Sequence, residues 1–215
     1  MFTIALVARK GGSGKTTIGV HLALAAFLRG LYTLVADADP QRSAIEALRA
    51  RQSLGPERTG VASARLYDLQ MSAVRQGTDV MVIDTPAGVA EECANAIVLA
   101  DLCLLVVRPT YLDLAAAIES VAMIRRLKKP VLIVVNQAPP TRGGVEPPTV
   151  RRALRALAVL KQPVAPTIIR SRLVYQRALE TGCSAEETGD LAATQEIAEL
   201  WAYIHHIAFP RRVAG

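Results

Sequence analysis

The sequence predicts an α/β protein built on a mostly parallel twisted sheet with helices on both faces. Three observations carry that expectation. Short apolar runs at 2–8, 32–36, 79–83, 102–107 and 131–136 alternate with helix-length segments, the arrangement of βα units around a parallel sheet. The runs are continuously apolar and do not alternate with polar residues, which marks strands covered on both faces. The first run passes directly into the glycine-rich stretch Lys10-Gly11-Gly12-Ser13-Gly14-Lys15-Thr16-Thr17, which opens a helical segment.

In chain order, helices are expected at 15–29, 41–51, 90–99, 112–128, 149–160, 173–181 and 190–208, with breaks at Gly30, Gly55-Pro56, Pro130 and Pro163. Nothing resembles an interdomain linker, so residues 1–215 are expected to form one domain with ample length for a core. The strongest loop signal is 138–148, rich in proline and glycine, just after the strand that ends at Asn136-Gln137. Loops at the carboxyl edge of a parallel sheet line its ligand crevice, so this one is expected to wall a nucleotide base.

The glycine-rich stretch carries the chemistry. A strand, a glycine turn and a helix N-terminus aim several backbone N–H groups at one point, where the helix dipole also favours an anion. In the generic pattern G-x-x-x-x-G-K-[ST], Lys15 reaches the β- and γ-phosphates and the Thr16 hydroxyl meets Mg²⁺, while Gly11, Gly12, Ser13, Gly14 and Thr17 complete the cradle. Arg9 stands where the first glycine of that pattern belongs, so the loop has the form K-G-G-x-G-K-[ST] with a second lysine, Lys10. Two further strands end in aspartate: 31–36 runs into Asp37-Ala38-Asp39-Pro40-Gln41, and 79–83 into Asp84-Thr85-Pro86-Ala87-Gly88. Carboxylates at such strand ends can hold Mg²⁺ through water or orient an attacking water.

Composition narrows the setting. Hydrophobic residues make up 51% of the chain, yet no apolar run approaches the ~18–20 residues needed to cross a bilayer. The first strand starts within about two residues of Met1, which predicts no export signal and a cytoplasmic protein. Cys93, Cys103 and Cys183 show no C-x-x-C spacing, so neither a zinc site nor a disulfide framework is expected. The net charge of +6 is uneven: residues 108–177 hold 13 Lys/Arg against three acids, a net of +10, and the remainder carries −4. A basic half predicts a phosphate-rich polymer or anionic surface as partner; the alternative is that these arginines only solvate helix faces.

KGGSGKTT, DADPQ, DTPAG, the segment Arg108 to Leu114 and the segment Ile169 to Tyr175 together resemble the ParA/MinD family of deviant Walker A ATPases. The resemblance spans residues 1 to about 208 and is strongest to the small ParA-type partition ATPases without an N-terminal helix-turn-helix domain. One departure is Ala87, where family members commonly carry a second proline. The resemblance implies a P-loop fold, ATP and Mg²⁺ as cofactors, and a slow, partner-stimulated hydrolase. It implies that Lys10 reaches across to the partner subunit's nucleotide, Asp39 positions the hydrolytic water, Asp37 supports the Mg²⁺ shell, Asp84 binds the metal through water and Asn136 reads the adenine edge.

The implied cycle is ATP-driven sandwich dimerisation, non-specific DNA binding on the nucleoid, and release when a ParB-like or other centromere-binding or adaptor protein triggers hydrolysis. The cargo would be a plasmid, a chromosome or a protein cluster. Arg151, Arg152, Arg155, Arg170, Arg172 and Arg177 are the expected DNA contacts, Arg170 and Arg172 foremost because they fall in an R-x-R-x-x-Y segment. A MinD-like membrane-surface ATPase is the main alternative. Ile197, Leu200, Trp201, Ile204 and Ile207 recur at helical spacing before Arg211 and Arg212, but acidic residues on the polar face and Pro210 favour core packing. A metabolic P-loop enzyme is a third reading, for which no second-substrate pocket is evident.

Overall fold

The computed structural model describes residues 1–88 and 91–209. Six strands form one sheet: β1 (Phe2–Val7), β2 (Thr33–Asp37), β3 (Glu57–Gly60), β4 (Val80–Asp84), β5 (Leu102–Val107) and β6 (Val131–Val135). Their spatial order is β3-β2-β4-β1-β5-β6, and each neighbouring pair is parallel. The helices are α1 (Lys15–Leu28), α2 (Ser43–Arg49), α3 (Leu66–Arg75), α4 (Glu91–Leu99), α5 (Tyr111–Arg126), α6 (Pro148–Ala158), α7 (Leu173–Glu180) and α8 (Leu191–Ala208).

Successive strand residues point to opposite faces, so each face of β1 feeds its own core. Ile4 and Leu6 join residues of α1, α2, α7 and α8 on one side, while Ala5 and Val7 join α3, α4, α5 and α6 on the other. Every residue of β2, β4, β5 and β6 is buried, which is why those strands read as unbroken apolar runs. Burying one apolar side chain contributes roughly 1.5–3 kcal/mol, so a sheet used on both sides holds a large share of the molecule's stability.

Two elements carry no such signal. β3 is the polar edge stretch Glu57-Arg58-Thr59-Gly60, exposed along its length, and it pairs with β2 through backbone alone. α3 turns only Leu66 and Ala73 fully inward, too sparse a stripe to stand out in sequence. At the other end of the chain, Asp190 caps α8 by accepting from Ala193 N at 3.0 Å. Ile197, Leu200, Trp201 and Ile204 are buried in the same core as α1, so this stripe packs inward, while Ile207 stays 41% exposed. Ala90, expected to begin the helix 90–99, and Pro210, Arg211 and Arg212 lie outside the described residues. No described helix is long and apolar enough to cross a membrane.

Candidate nucleotide-binding loop and its acidic wall

β1 lies between β4 and β5, so the chain leaving its carboxyl end enters a crevice with strand ends on either side. The loop ends at Gly14, whose φ of +89° makes it a left-handed N-cap for α1. No side chain caps this helix and no acid sits in its first turn, which leaves its free N–H groups to whatever anion the loop receives. Glycine is required here twice over. Besides the positive φ, a Cβ on Gly14 would lie 2.2 Å from Asn136 Nδ2.

That close approach has a purpose. Asn136 Nδ2 donates to Ser13 O at 2.8 Å, and Gln137 Nε2 donates to Gly12 O at 2.9 Å. Two loop carbonyls are thus tied to the end of β6. Asn136, expected at the adenine edge, uses its amide nitrogen to brace the loop. Gln137 escaped sequence reasoning; its adjacency to Asn136 and its position at a strand end were the only signals. Beyond it, the 138–148 loop lines a cleft of about 580 Å³ with Pro139, Pro140, Val145, Pro147 and Arg151 among its walls.

Opposite, β4 supplies the metal-competent carboxylate. Thr16 Oγ1 donates to Asp84 Oδ2 at 2.6 Å, whereas Asp84 Oδ1 and Ser13 Oγ are buried without hydrogen-bond partners among the described residues. Burial pushes the Asp84 carboxyl up to about 7; the Thr16 hydroxyl and the Lys15 charge pull it down, and Asp37 and Asp39 push it up further. Buried polar oxygens without partners are costly unless a ligand satisfies them. Mg²⁺ takes one or two protein oxygens, with waters and substrate phosphates completing its octahedron. The donor set fits that ion: one open carboxylate and one hydroxyl, with no three-residue metal cage among the described residues.

Asp37 sits in register with Asp84 on the adjacent strand, where its charge helps raise the Asp84 carboxyl. Its Oδ1 accepts from Asp39 N at 3.1 Å, and its Oδ2 accepts from Ala44 N at 3.0 Å and Ile45 N at 3.2 Å. Expected from sequence to support the Mg²⁺ shell, it accepts from two amides at the start of α2, donors that a helix N-terminus otherwise leaves free. Burial raises its pKa, against the lowering pull of those amides and of Arg42. Asp39 is half-buried past the strand end, with Oδ1 accepting from Gln41 N at 2.9 Å. Lys15 is buried within the loop, whereas Lys10 at its start is exposed.

Residues 4–182 match the model of the CobQ/CobB/MinD/ParA nucleotide-binding domain. The chain belongs to that family. It is 31% identical over 201 residues to the maintenance of carboxysome distribution protein A of Halothiobacillus neapolitanus, covering 87% of this chain and 88% of the relative. In fold it is similar to McdA of Cyanothece, both apo (TM-score 0.80, 15% identity, 95% of this chain and 99% of that one) and with ATP (TM-score 0.79, 14% identity, 100% and 99%). It is also similar to MinD of Pyrococcus horikoshii with Mg-ADP (TM-score 0.74, 19% identity, 96% of this chain and 97% of that one).

The six arginines expected on a DNA face of this ParA/MinD-type fold are not equivalent. Arg151, Arg152 and Arg155 are exposed on α6, whose opposite face buries Val150, Ala153 and Leu157, and Arg177 is exposed on α7. Arg170 is held by Glu146, Nη1 to Oε2 at 2.9 Å, and also donates to Pro139 O at 3.1 Å. Arg172 donates to Glu196 Oε1 from Nε at 3.0 Å and Nη2 at 2.7 Å, while Tyr175 Oη donates to Glu196 Oε2 at 2.7 Å. The R-x-R-x-x-Y segment therefore converges on acids that neutralise its two arginines.

Proposed function

We propose that this chain is an ATP hydrolase of the ParA/MinD type that dimerises on ATP, rides on DNA without sequence preference and positions a cargo. The observation that carries the reading is the division of labour in the loop: Lys15 buried at the helix N-terminus, Lys10 exposed beside it. A lysine left exposed at the edge of the loop is free to meet a nucleotide held by a second subunit. The name of the 31% identical relative makes a protein assembly the first cargo to test, ahead of a plasmid or chromosome.

The residues divide the chemistry among them. Backbone N–H groups from Gly11 to Thr17 and the Lys15 ammonium bind the phosphates, and Lys10 of one protomer neutralises charge on the other's triphosphate. Asp84 and Thr16 would hold Mg²⁺, which shields the phosphate oxygens as charge builds during transfer. Asp39 orients the attacking water, and Asn136 with Gln137 keeps the loop rigid enough for that geometry to persist. Dimerisation joins two basic surfaces, and because each neutralised phosphate releases counterions, DNA affinity rises steeply and falls with salt.

Binding to random-sequence duplex DNA and to anionic vesicles, each with Mg-ATP, Mg-ADP or no nucleotide at two salt concentrations, tests the reading. DNA binding that needs ATP and weakens with salt is expected. ATP-dependent vesicle binding without DNA binding replaces it with the membrane-surface alternative, and binding to neither removes both.

A further inference from the structure

The phosphate loop has a basic neighbour that the family's loop motif does not include. Arg108 follows the last residue of β5, the strand beside β1, and this brings its guanidinium alongside Gly12. Asp113, in the first turn of α5 and 4% exposed, grips it as a fork: Nε to Oδ1 at 3.0 Å and Nη2 to Oδ2 at 3.1 Å. Thr110 Oγ1 donates to the same carboxylate at 2.7 Å, which fixes the acceptor in turn. Burial would raise the Asp113 carboxyl, but the Arg108 and Thr110 hydrogen bonds hold it below the usual range, so the fork is a true ion pair.

Such a fork uses two of the three guanidinium nitrogens. The third, Nη1, has no hydrogen-bond partner among the described residues and lies 3.6 Å from where a Cβ on Gly12 would be. Gly12 is exposed with φ +75° and is tied on its other side by Gln137. The neighbouring cation Arg9 is turned to Glu119 of α5 in a solvent-exposed pair. Holding an arginine by two of its nitrogens removes the rotamer entropy that a free side chain would lose on meeting an anion.

We propose that Arg108 Nη1 is a preset donor to a terminal phosphate oxygen of the triphosphate at this loop, with Asp113 as its positioning residue. The inference rests on the ATPase reading and adds a residue to it. The phosphate is either that of the same chain's nucleotide or that of a second subunit's nucleotide brought to Gly12 on dimerisation. In both cases the guanidinium meets charge that ATP has and ADP lacks, so it contributes to discrimination between the two nucleotides.

The test is the ratio of Mg-ATP to Mg-ADP affinity, by titration with fluorescent nucleotides, in wild type, Arg108→Ala, Arg108→Lys and Asp113→Asn, with thermal unfolding of each recorded. Arg108→Ala is expected to lower ATP affinity about tenfold and leave ADP affinity unchanged. Arg108→Lys and Asp113→Asn should fall between, since one keeps the charge without the fork and the other keeps the guanidinium without its anchor. The double variant Arg108→Ala/Asp113→Asn removes both members of the pair, so it is the fold-neutral check if Arg108→Ala alone unfolds. A loss already present at dilute, monomeric concentration assigns the same chain's nucleotide, and a loss confined to concentrations that dimerise assigns the second subunit's. An unchanged ATP/ADP ratio in folded variants overturns the inference while wild-type binding keeps the ATPase reading. No nucleotide binding by wild type overturns both.

Discussion

Gly14 shows how much of the loop's function is steric. Gly14→Ala places a methyl group against Asn136 Nδ2 at a backbone angle of +89°, which costs about 1–3 kcal/mol and releases the brace on Ser13 O. Nucleotide affinity is expected to collapse in this variant along with a drop in the thermal midpoint. Gly11→Ala meets nothing within 4 Å and should leave the midpoint unchanged, as thermal unfolding of the pair will check. The loop was legible in sequence because its chemistry is contiguous, from Lys10 to Thr17. Gln137 and Arg108 were not legible as loop residues: Gln137 reaches Gly12 across 125 positions of sequence, and only the strand order brings β5 and β6 to that side. The amide donors to Asp37 were hidden for a related reason. A carboxylate at a strand end looks the same in sequence whether it faces an ion or the next helix.

At the level of elements, strands buried on both faces and helices with a full apolar stripe were legible to within about two residues at most boundaries. β3 and α3 were not, since an exposed edge strand is held by backbone hydrogen bonds that any residue can make. The basic half of the chain resolves into different roles on different elements. α6 presents Arg151, Arg152 and Arg155 outward over an intact apolar face, so replacing all three by alanine is expected to leave stability and ATP turnover near wild type. DNA affinity should fall, and the salt dependence of binding should flatten by a slope of about 2–3. Arg170→Ala acts differently, because Glu146 loses the partner that lowers its pKa and the 138–148 loop loses its tie to the start of α7. Its main expected effect is on stability, measured by denaturant unfolding, with the α6 variant as the contrasting case.

The whole molecule is locked together by a buried histidine that no motif reveals. His21 of α1 is fully buried, with Nδ1 accepting from Ala185 N at 3.2 Å and Nε2 3.4 Å from Tyr175 O in α7. Burial lowers its pKa from 6.5 to about 4, against the raising pull of Tyr175 O and Glu187. The unfolded chain therefore binds the proton more readily. His21 contributes stability above pH 6.5 that is lost as pH falls towards 4, on the order of 3 kcal/mol in all. Asp84 works in the opposite sense, gaining a proton in the fold as pH falls through about 7, so the step is read as the difference between wild type and His21→Asn in unfolding experiments at several pH values. In the proposed cycle the sheet holds a crevice in which a buried lysine serves one subunit and an exposed lysine serves another. The most direct measurement of that claim is molar mass by light scattering with Mg-ATP and Mg-ADP, on wild type, Lys10→Ala and Asp39→Ala. The account predicts an ATP-dependent dimer for wild type, a persistent one for Asp39→Ala because turnover is lost, and a monomer that still binds ATP for Lys10→Ala; a Lys10→Ala protein that dimerises and hydrolyses ATP like wild type would contradict it.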